Sequence, residues 1–350
     1  MTERLRLLVV DDSAVVRRLV VRILNDDPRL EVIAEAADGE EAVRIATEQR
    51  PDVIVMDCVM PVVDGLDATR QIMRESPTPI VLLSASYQSD AVSRSFAALE
   101  AGALSLVAKP SGPQDATFMA DARTLTTTVK LMAGVKLVRR RSQRPPRRAA
   151  PPDAAAPARA TPVTIVAIAA STGGPNALAQ IIGALPASMP LPIMVVQHIT
   201  PGFQRGLVQW LGGVSSLPVR LAAHGERLRA GEVVVAPADA HLGVSATGRV
   251  ALSGSPPIGG HRPSATHLFR SVASAYGAGA LGVILTGMGD DGVAGLQDVK
   301  RAGGLVLAQD EPTSVVYGMP GSAAAAGVVD QILPIDKIAM ALISTAKRGE

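Results

Sequence analysis

Aromatic side chains are scarce in this chain of 350 residues. Phe, Trp and Tyr make up 2% of it, and there is one Trp. The chain therefore lacks the stacking platforms that hold single-stranded nucleic acid. Cysteine is scarcer still: Cys58 alone excludes an internal disulfide and fits a reducing compartment. No apolar run approaches the roughly 18 residues of a spanning helix. The opening "MTERLRLLVVDD" has too short an apolar run for a signal peptide. These absences predict a cytoplasmic protein with no membrane insertion. A large excess of one charge is missing as well. Residues 139–160 hold seven Arg against one Asp, a net +6, so the rest of a chain whose total is +2 carries −4. The basic balance is local, and it argues only weakly for nucleic acid as a partner.

What the chain has is apolar residues, 47% of the total, at a length that suits two domains with separate cores. The segment "RRRSQRPPRRAAPPDAAAPARATP" (139–162) has no apolar periodicity and reads as an extended, self-repelling spacer. A basic docking segment is the lesser alternative. The expected division is an N-terminal domain over 3–135, a linker over 136–160 and a C-terminal domain over 161–348.

The N-terminal part alternates strand-like runs (5–10, 30–36, 51–57, 78–85, 102–109) with helical patterns such as 13–26 and 39–49. Nearly continuous apolar strands predict a parallel five-stranded sheet covered on both faces. Ligands of such sheets sit at the carboxyl ends of strands. Charged and hydroxyl residues gather there: Asp11 and Asp12 after the first strand, Asp57 after the third, Ser84 at the fourth, Lys109 at the fifth. Clustered carboxylates repel, and a hard cation such as Mg²⁺ relieves that repulsion through oxygen ligands. The cation would also neutralise a phosphoryl group arriving on Asp57, with Lys109 as a mobile charge and Ser84 as a hydroxyl donor.

This constellation resembles the receiver domain of two-component response regulators. "VVDDS", "VMDCVMPVVDGL", "LLSAS" and "VAKP" carry the resemblance across the whole N-terminal part. It implies a flavodoxin-like fold and phosphorylation of Asp57 by a histidine kinase. It also implies Mg²⁺ held by Asp12, Asp57 and the carbonyl of Val59, with Asp11 assisting. Leu106 stands where receivers usually carry an aromatic. That departure touches the aromatic's rotamer switch and leaves phosphorylation intact.

The C-terminal part opens with a strand over 163–169, the turn "STGG" and a helix over 175–184. A second apolar run, 190–200, contains Gln197-His198. A third strand ends near Leu285 before "TGMGDDG", with a helix from near Asp291. This pattern predicts a doubly wound α/β domain with a mostly parallel sheet, whose carboxyl edge gathers Ser171, His198 and the acidic loop. A serine hydroxyl needs a base, and the base needs an orienting acid. His198 and one of Asp290 or Asp291 can supply them, and turn N–H groups can meet an oxyanion. A dinucleotide loop is the rival reading, but G-x-G-x-x-G and its downstream acid are missing. His224, His241, His261 and His267 show no metal-ligand spacing, which predicts no zinc site and places most of them on the surface or in loops.

"AIAASTGGPNAL", "VVQHITPGF", "APADAHLGV", "SPPIGGHRPSATHLF", "LTGMGDDGVAGL" and "EPTSVVYGMPGSA" are similar, in order, to the motifs of CheB-type chemotaxis protein-glutamate methylesterases. The resemblance implies Ser171 as nucleophile, His198 as base and Asp291 as the triad acid. It implies Thr172 and the backbone of Met288 at the oxyanion, and no cofactor for the ester chemistry. It places "HRPS" (261–264) beside the cleft. Asp290 stands where the family commonly has Asn, and Ala169 where it often has Gly. The implied activity is demethylation of glutamyl methyl esters, and deamidation of glutamines, on methyl-accepting chemotaxis receptors. The partners implied are those receptors and a histidine kinase, with no nucleic acid, on the periphery of membrane receptor arrays.

Overall fold

A computed structural model of the chain describes residues 4–84, 89–135 and 161–347. The predicted linker, 136–160, lies outside the described residues. Ten elements come first: β1 (Leu5–Val10), α1 (Ala14–Asn25), β2 (Leu30–Ala36), α2 (Gly39–Gln49), β3 (Val53–Asp57), α3 (Gly65–Glu75), β4 (Ile80–Ser84), α4 (Ser89–Glu100), β5 (Ser105–Ala108) and α5 (Phe118–Ala133). The strands form one parallel sheet in the order β2-β1-β3-β4-β5. This is the flavodoxin-like order, with its switch point between β1 and β3. Residues 7–10 and all of β3 and β4 are buried, as strands covered on both faces must be.

Local chemistry sets the boundaries. Ser13, Asp38 and Asp64 cap α1, α2 and α3 by accepting from backbone N–H groups of the first turn. Three strands start later than the apolar runs suggest, at Val53, Ile80 and Ser105. Pro51 and Pro79 bring no N–H to a ladder, and Gly102 turns the chain at φ 123°.

The second unit contains β6 (Ile165–Ala170), α6 (Gly174–Gly183), β7 (Ile193–Gln197), α7 (Gln204–Val214), β8 (Val219–Leu221), β9 (Val233–Val235), β10 (His241–Val244) and β11 (Val250–Ser253). It continues with α8 (Ala265–Tyr276), β12 (Ala280–Ile284), α9 (Val293–Arg301), β13 (Leu305–Gln309), α10 (Met319–Ala325), β14 (Gln331–Leu333) and α11 (Ile335–Lys347). Seven strands pair in the order β14-β13-β12-β6-β7-β9-β8, and every pairing is parallel. β10 and β11 form a separate antiparallel pair. From β6 the chain winds one way through β7 and β9, while β12, β13 and β14 build the other half. The switch point therefore lies at β6, between β7 and β12. Crevices at such points open at the carboxyl ends of the strands, where Ser171, His198 and the 286–291 loop emerge.

Candidate active site

β6 is buried along its whole length, and Ser171 follows its last residue, Ala170. The Ser171 N–H donates to Thr286 O at 3.0 Å, joining the ends of β6 and β12. Gly173 follows at φ 77°, and a Cβ there would meet Val315 Cβ at 2.6 Å. Only glycine takes that conformation in that space. A Cβ on Gly287 would come within 2.6 Å of Ser171 Cβ. Backbone thus closes around the serine. The Gln197 side-chain amide donates to Ser171 O at 2.7 Å and His198 O at 2.9 Å, fixing the two strand ends together. Thr286 Oγ1 donates to Thr172 O at 2.9 Å and accepts from the Val316 N–H.

His198 leaves β7 with its N–H on Ala170 O at 2.9 Å. Its Nε2 lies 3.0 Å from Asp291 Oδ2. That is ion-pair distance without hydrogen-bond alignment, and Nδ1 has no hydrogen-bond partner among the described residues. The carboxylate itself is firmly held. Asp291 Oδ1 accepts from Ser264 Oγ at 2.8 Å and Thr266 N at 3.0 Å, and Oδ2 from Ala265 N at 2.7 Å. Two of these donors are the first N–H groups of α8, a ready anion site. Burial works to raise the Asp291 pKa, but His198, the Thr266 N–H and the Ser264 hydroxyl hold it well below the usual carboxylate range. Asp290 is exposed. The helix expected from Asp291 begins two residues later, at Val293, after Gly292 turns at φ 107°. Asp291 is thereby left out of α9 and turned toward α8.

Ser171, Thr172, His198, His261 and Met288 line one wall of a cleft of about 660 Å³. The opposite wall comes from the N-terminal unit: Leu104–Ala108 on and before β5, and Asp121, Arg123 and Thr124 on α5. The two units also touch beside the cleft. Phe96 on α4 stacks on Trp210 of α7 with centroids 5.4 Å apart, and Asn176 Nδ2 donates to Leu99 O at 3.1 Å.

The second charged edge belongs to the N-terminal sheet. Carboxylate oxygens of Asp11, Asp12 and Asp57 lie within 4.8 Å of one another. Lys109 Nζ sits 2.7 Å from Asp57 Oδ2 and 2.9 Å from Asp11 Oδ2. Asp11 and Asp57 are buried, whereas Asp12 faces solvent. Burial raises the Asp57 pKa against the pull of Lys109, and the Asp11 charge adds to the rise. Burial works to lower the Lys109 pKa, but its two carboxylate partners outweigh that and raise it, so it stays a cation. Val59 N–H donates to Asp57 Oδ1 at 3.3 Å. Ser84 Oγ accepts from Ser95 Oγ of α4 at 3.0 Å, and Ser95 also donates to Cys58 Sγ. Burial pushes the Cys58 thiol up to about 12, so it stays protonated and inert. One lysine against three carboxylates leaves an excess of buried negative charge, a donor set suited to a hard divalent cation.

The sequence-predicted residues fall into these two clusters. Ser171, Thr172, His198, Met288 and Asp291 meet at one edge, and Asp11, Asp12, Asp57, Val59, Ser84 and Lys109 at the other. Of the four further histidines, most of them expected on the surface or in loops, His224 is exposed and His261 lies in a loop, but His241 in β10 and His267 in α8 depart from that expectation. His241 is fully buried, its Nε2 on Pro256 O and its Nδ1 accepting from Ser264 N. His261 stacks flat on His198, and His267 stacks on His241. No histidine spacing signals these contacts. Ser264 carries a legible cue, since it precedes an apolar helical run as an N-cap does, yet its bond to Asp291 depends on a loop 27 residues away.

The family model described as CheB methylesterase matches residues 166–342, and that of the response regulator receiver domain matches residues 7–120. A protein-glutamate methylesterase/protein-glutamine glutaminase of Anaeromyxobacter dehalogenans is 52% identical over 96% of this chain and 97% of its own. A relative of the same description from Myxococcus xanthus is 50% identical over 99% of this chain and 98% of its own. Among solved structures, the Thermotoga maritima CheB methylesterase catalytic domain is 43% identical, with a TM-score of 0.51, and covers 52% of this chain and 98% of that one.

Proposed function

The chain belongs to the CheB methylesterase family, and from that premise we propose that it is a phosphorylation-activated protein-glutamate methylesterase and protein-glutamine glutaminase. Its substrates are methylated and amidated side chains of methyl-accepting chemotaxis receptors, and its phosphodonor is a histidine kinase. The receiver domain spans residues 3–135, the linker 136–160 and the catalytic domain 161–348.

Ser171 is the nucleophile. As its Oγ attacks the ester carbonyl, His198 takes the hydroxyl proton through its free ring nitrogen. Asp291 stabilises the imidazolium that results, being ionised at every physiological pH. Backbone N–H groups at Thr172 and Met288 receive the oxyanion. The proton passes from His198 to the departing methanol. A water then attacks the glutamyl ester of Ser171 with the same base, freeing glutamate. With a glutamine substrate, ammonia leaves in place of methanol. The observation that carries this reading is the 3.0 Å approach of His198 to a carboxylate seated on a helix N-terminus, in the cleft that Ser171 enters.

In the receiver, Mg²⁺ held by Asp12, Asp57 and the Val59 carbonyl, with Asp11 beside it, would offset the charge of an incoming phosphoryl group. Asp57 takes the phosphoryl group, Lys109 pairs with it and Ser84 donates to one of its oxygens. Control is steric. The β5–α5 face walls the cleft, and phosphorylation shifts the population toward an arrangement in which receptor helices reach Ser171.

The test is product release from receptor membranes. Wild-type protein is expected to release methanol from methylated receptors and ammonia from glutamine-bearing ones, and Ser171→Ala to release neither. Methanol release by Ser171→Ala at the wild-type rate would overturn the nucleophile assignment.

A further inference from the structure

His198 has no well-aligned hydrogen bond on either ring nitrogen among the described residues. Its backbone is fixed at the end of β7, but the side chain still needs something to set its plane. Besides the Asp291 carboxylate, the ring of His261 lies flat against it, with centroids 4.2 Å apart and planes 6° from parallel.

The backbone around His261 is built to present that ring. Ile258 and His261 exchange N–H···O bonds at 3.1 and 3.0 Å across Gly259 and Gly260. Both glycines have positive φ, 58° and 85°, as the tightest hairpin turns require. On the far side, Arg262 Nη1 reaches Gly254 O and Ser255 O, and Ser264 is held to both His241 and Asp291. The loop that carries His261 is therefore tied to the same carboxylate that His198 addresses.

We propose that His261 is a positioning residue for the hydrolysis, its ring fixing the plane in which His198 faces Asp291 on one edge and Ser171 on the other. The inference rests on the reading of His198 as the base. Two imidazoles this close cannot both carry charge at small cost. Burial, and then the charge of His198, hold the His261 pKa below the ordinary imidazole range, while Asp291 and Asp290 pull the other way. Asp121 and Arg123 of α5 line the cleft across from the pair. A neutral His261 leaves the imidazolium formed on His198 as the only cation of the stack. Its flat face also keeps water from one side of the ring.

The experiment measures kcat and KM for methanol release from methylated receptor membranes, using the full chain supplied with Mg²⁺ and acetyl phosphate. His261→Ala is expected to lower kcat by about tenfold or more, as angular misplacement of a catalytic group does, with KM changed less than about twofold. His261→Phe restores a flat ring that cannot titrate, and is expected to recover kcat to within about threefold of wild type. The inference is overturned if His261→Ala keeps the wild-type kcat, if its loss falls on KM alone, or if His261→Phe is as slow as His261→Ala. His198→Ala, run in parallel, separates the two failures. If it stays active, the base assignment itself is wrong. If it is dead while His261→Ala is normal, only the role of His261 falls.

Discussion

Two carboxylates end buried parallel strands or the loops that follow them in this chain, and their surroundings are opposite. Asp291 is over-supplied with donors: two helix N–H groups and a hydroxyl bind it, and with the imidazole at ion-pair distance they hold it ionised. Asp57 is under-supplied: burial and a second carboxylate work against one lysine, and its pKa is raised. In the proposed mechanism the first is a fixed charge that orients and stabilises a base. The second is a site of unrelieved charge that gains from a cation and from chemical change. The same fold principle, functional groups at the carboxyl ends of strands, produces a permanent charge in one sheet and a switchable one in the other.

The largest expected effect breaks the fixed-charge side. Asp291→Asn removes the anion but keeps the shape, and is expected to lower kcat by about 10³- to 10⁴-fold, as loss of a triad acid does. Asp290→Asn, on an exposed side chain, is expected to leave kcat within about twofold. Equal losses from the two variants in the methanol assay would erase the distinction between them.

Next comes the switchable side. Asp57→Asn is expected to abolish stimulation by a phosphodonor while sparing basal hydrolysis. Removal of divalent cation with EDTA should mimic it in the wild type, read by incorporation of labelled phosphate. Unimpaired labelling in EDTA would mean that the acidic cluster works without a cation.

A smaller effect probes the contact between the two sides. Trp210→Ala removes the stack on Phe96, a contact worth about 0.5–1.5 kcal/mol. It is expected to raise hydrolysis by unphosphorylated protein a few-fold and to narrow the response to phosphodonor. The smallest effect is on acid stability. The depressed pKa of Asp291 contributes stability that is fully present above the ordinary carboxylate range and lost as pH falls through the folded value. Urea unfolding of Asp291→Asn should therefore show a shallower loss of stability as pH falls below about 4 than wild type.

The five strands of the first sheet, and β6, β7 and β12 of the second, are legible in the sequence because they are apolar runs that end at turn residues, whereas β8, β9 and β14 are three residues long and carry too little pattern to read. Asp57, Ser171 and His198 are legible for the same reason, since each polar residue ends such a run. The ends of the runs are less exact: 78 and 102 precede the true strand starts because Pro79 and Gly102 are apolar or small without being ladder residues. The choice between Asp290 and Asp291 is not written in residue type. It follows from Gly292, which turns Asp291 toward the N-terminus of α8. His241 and His261 carry no periodic signal at all, because their contacts, Pro256 and Ser264 for His241 at the start of β10 and His198 for His261 in its loop, lie elsewhere along the chain. The N-terminal face that walls the cleft is equally hidden, since it follows from how α4 meets α6 and α7 and brings α5 to the cleft. The scarcity of aromatics only marks that place in hindsight: the one Trp lies there.

The central claim is that the switchable carboxylate governs access to the fixed one. The most direct test is the rate of methanol release from methylated receptor membranes by the full chain in Mg²⁺, with and without acetyl phosphate, for wild type and Asp57→Asn. The account predicts a clear rise with acetyl phosphate in the wild type and none in Asp57→Asn, at similar basal rates. Equal rates with and without acetyl phosphate in the wild type, despite phosphate incorporated on Asp57, would contradict it.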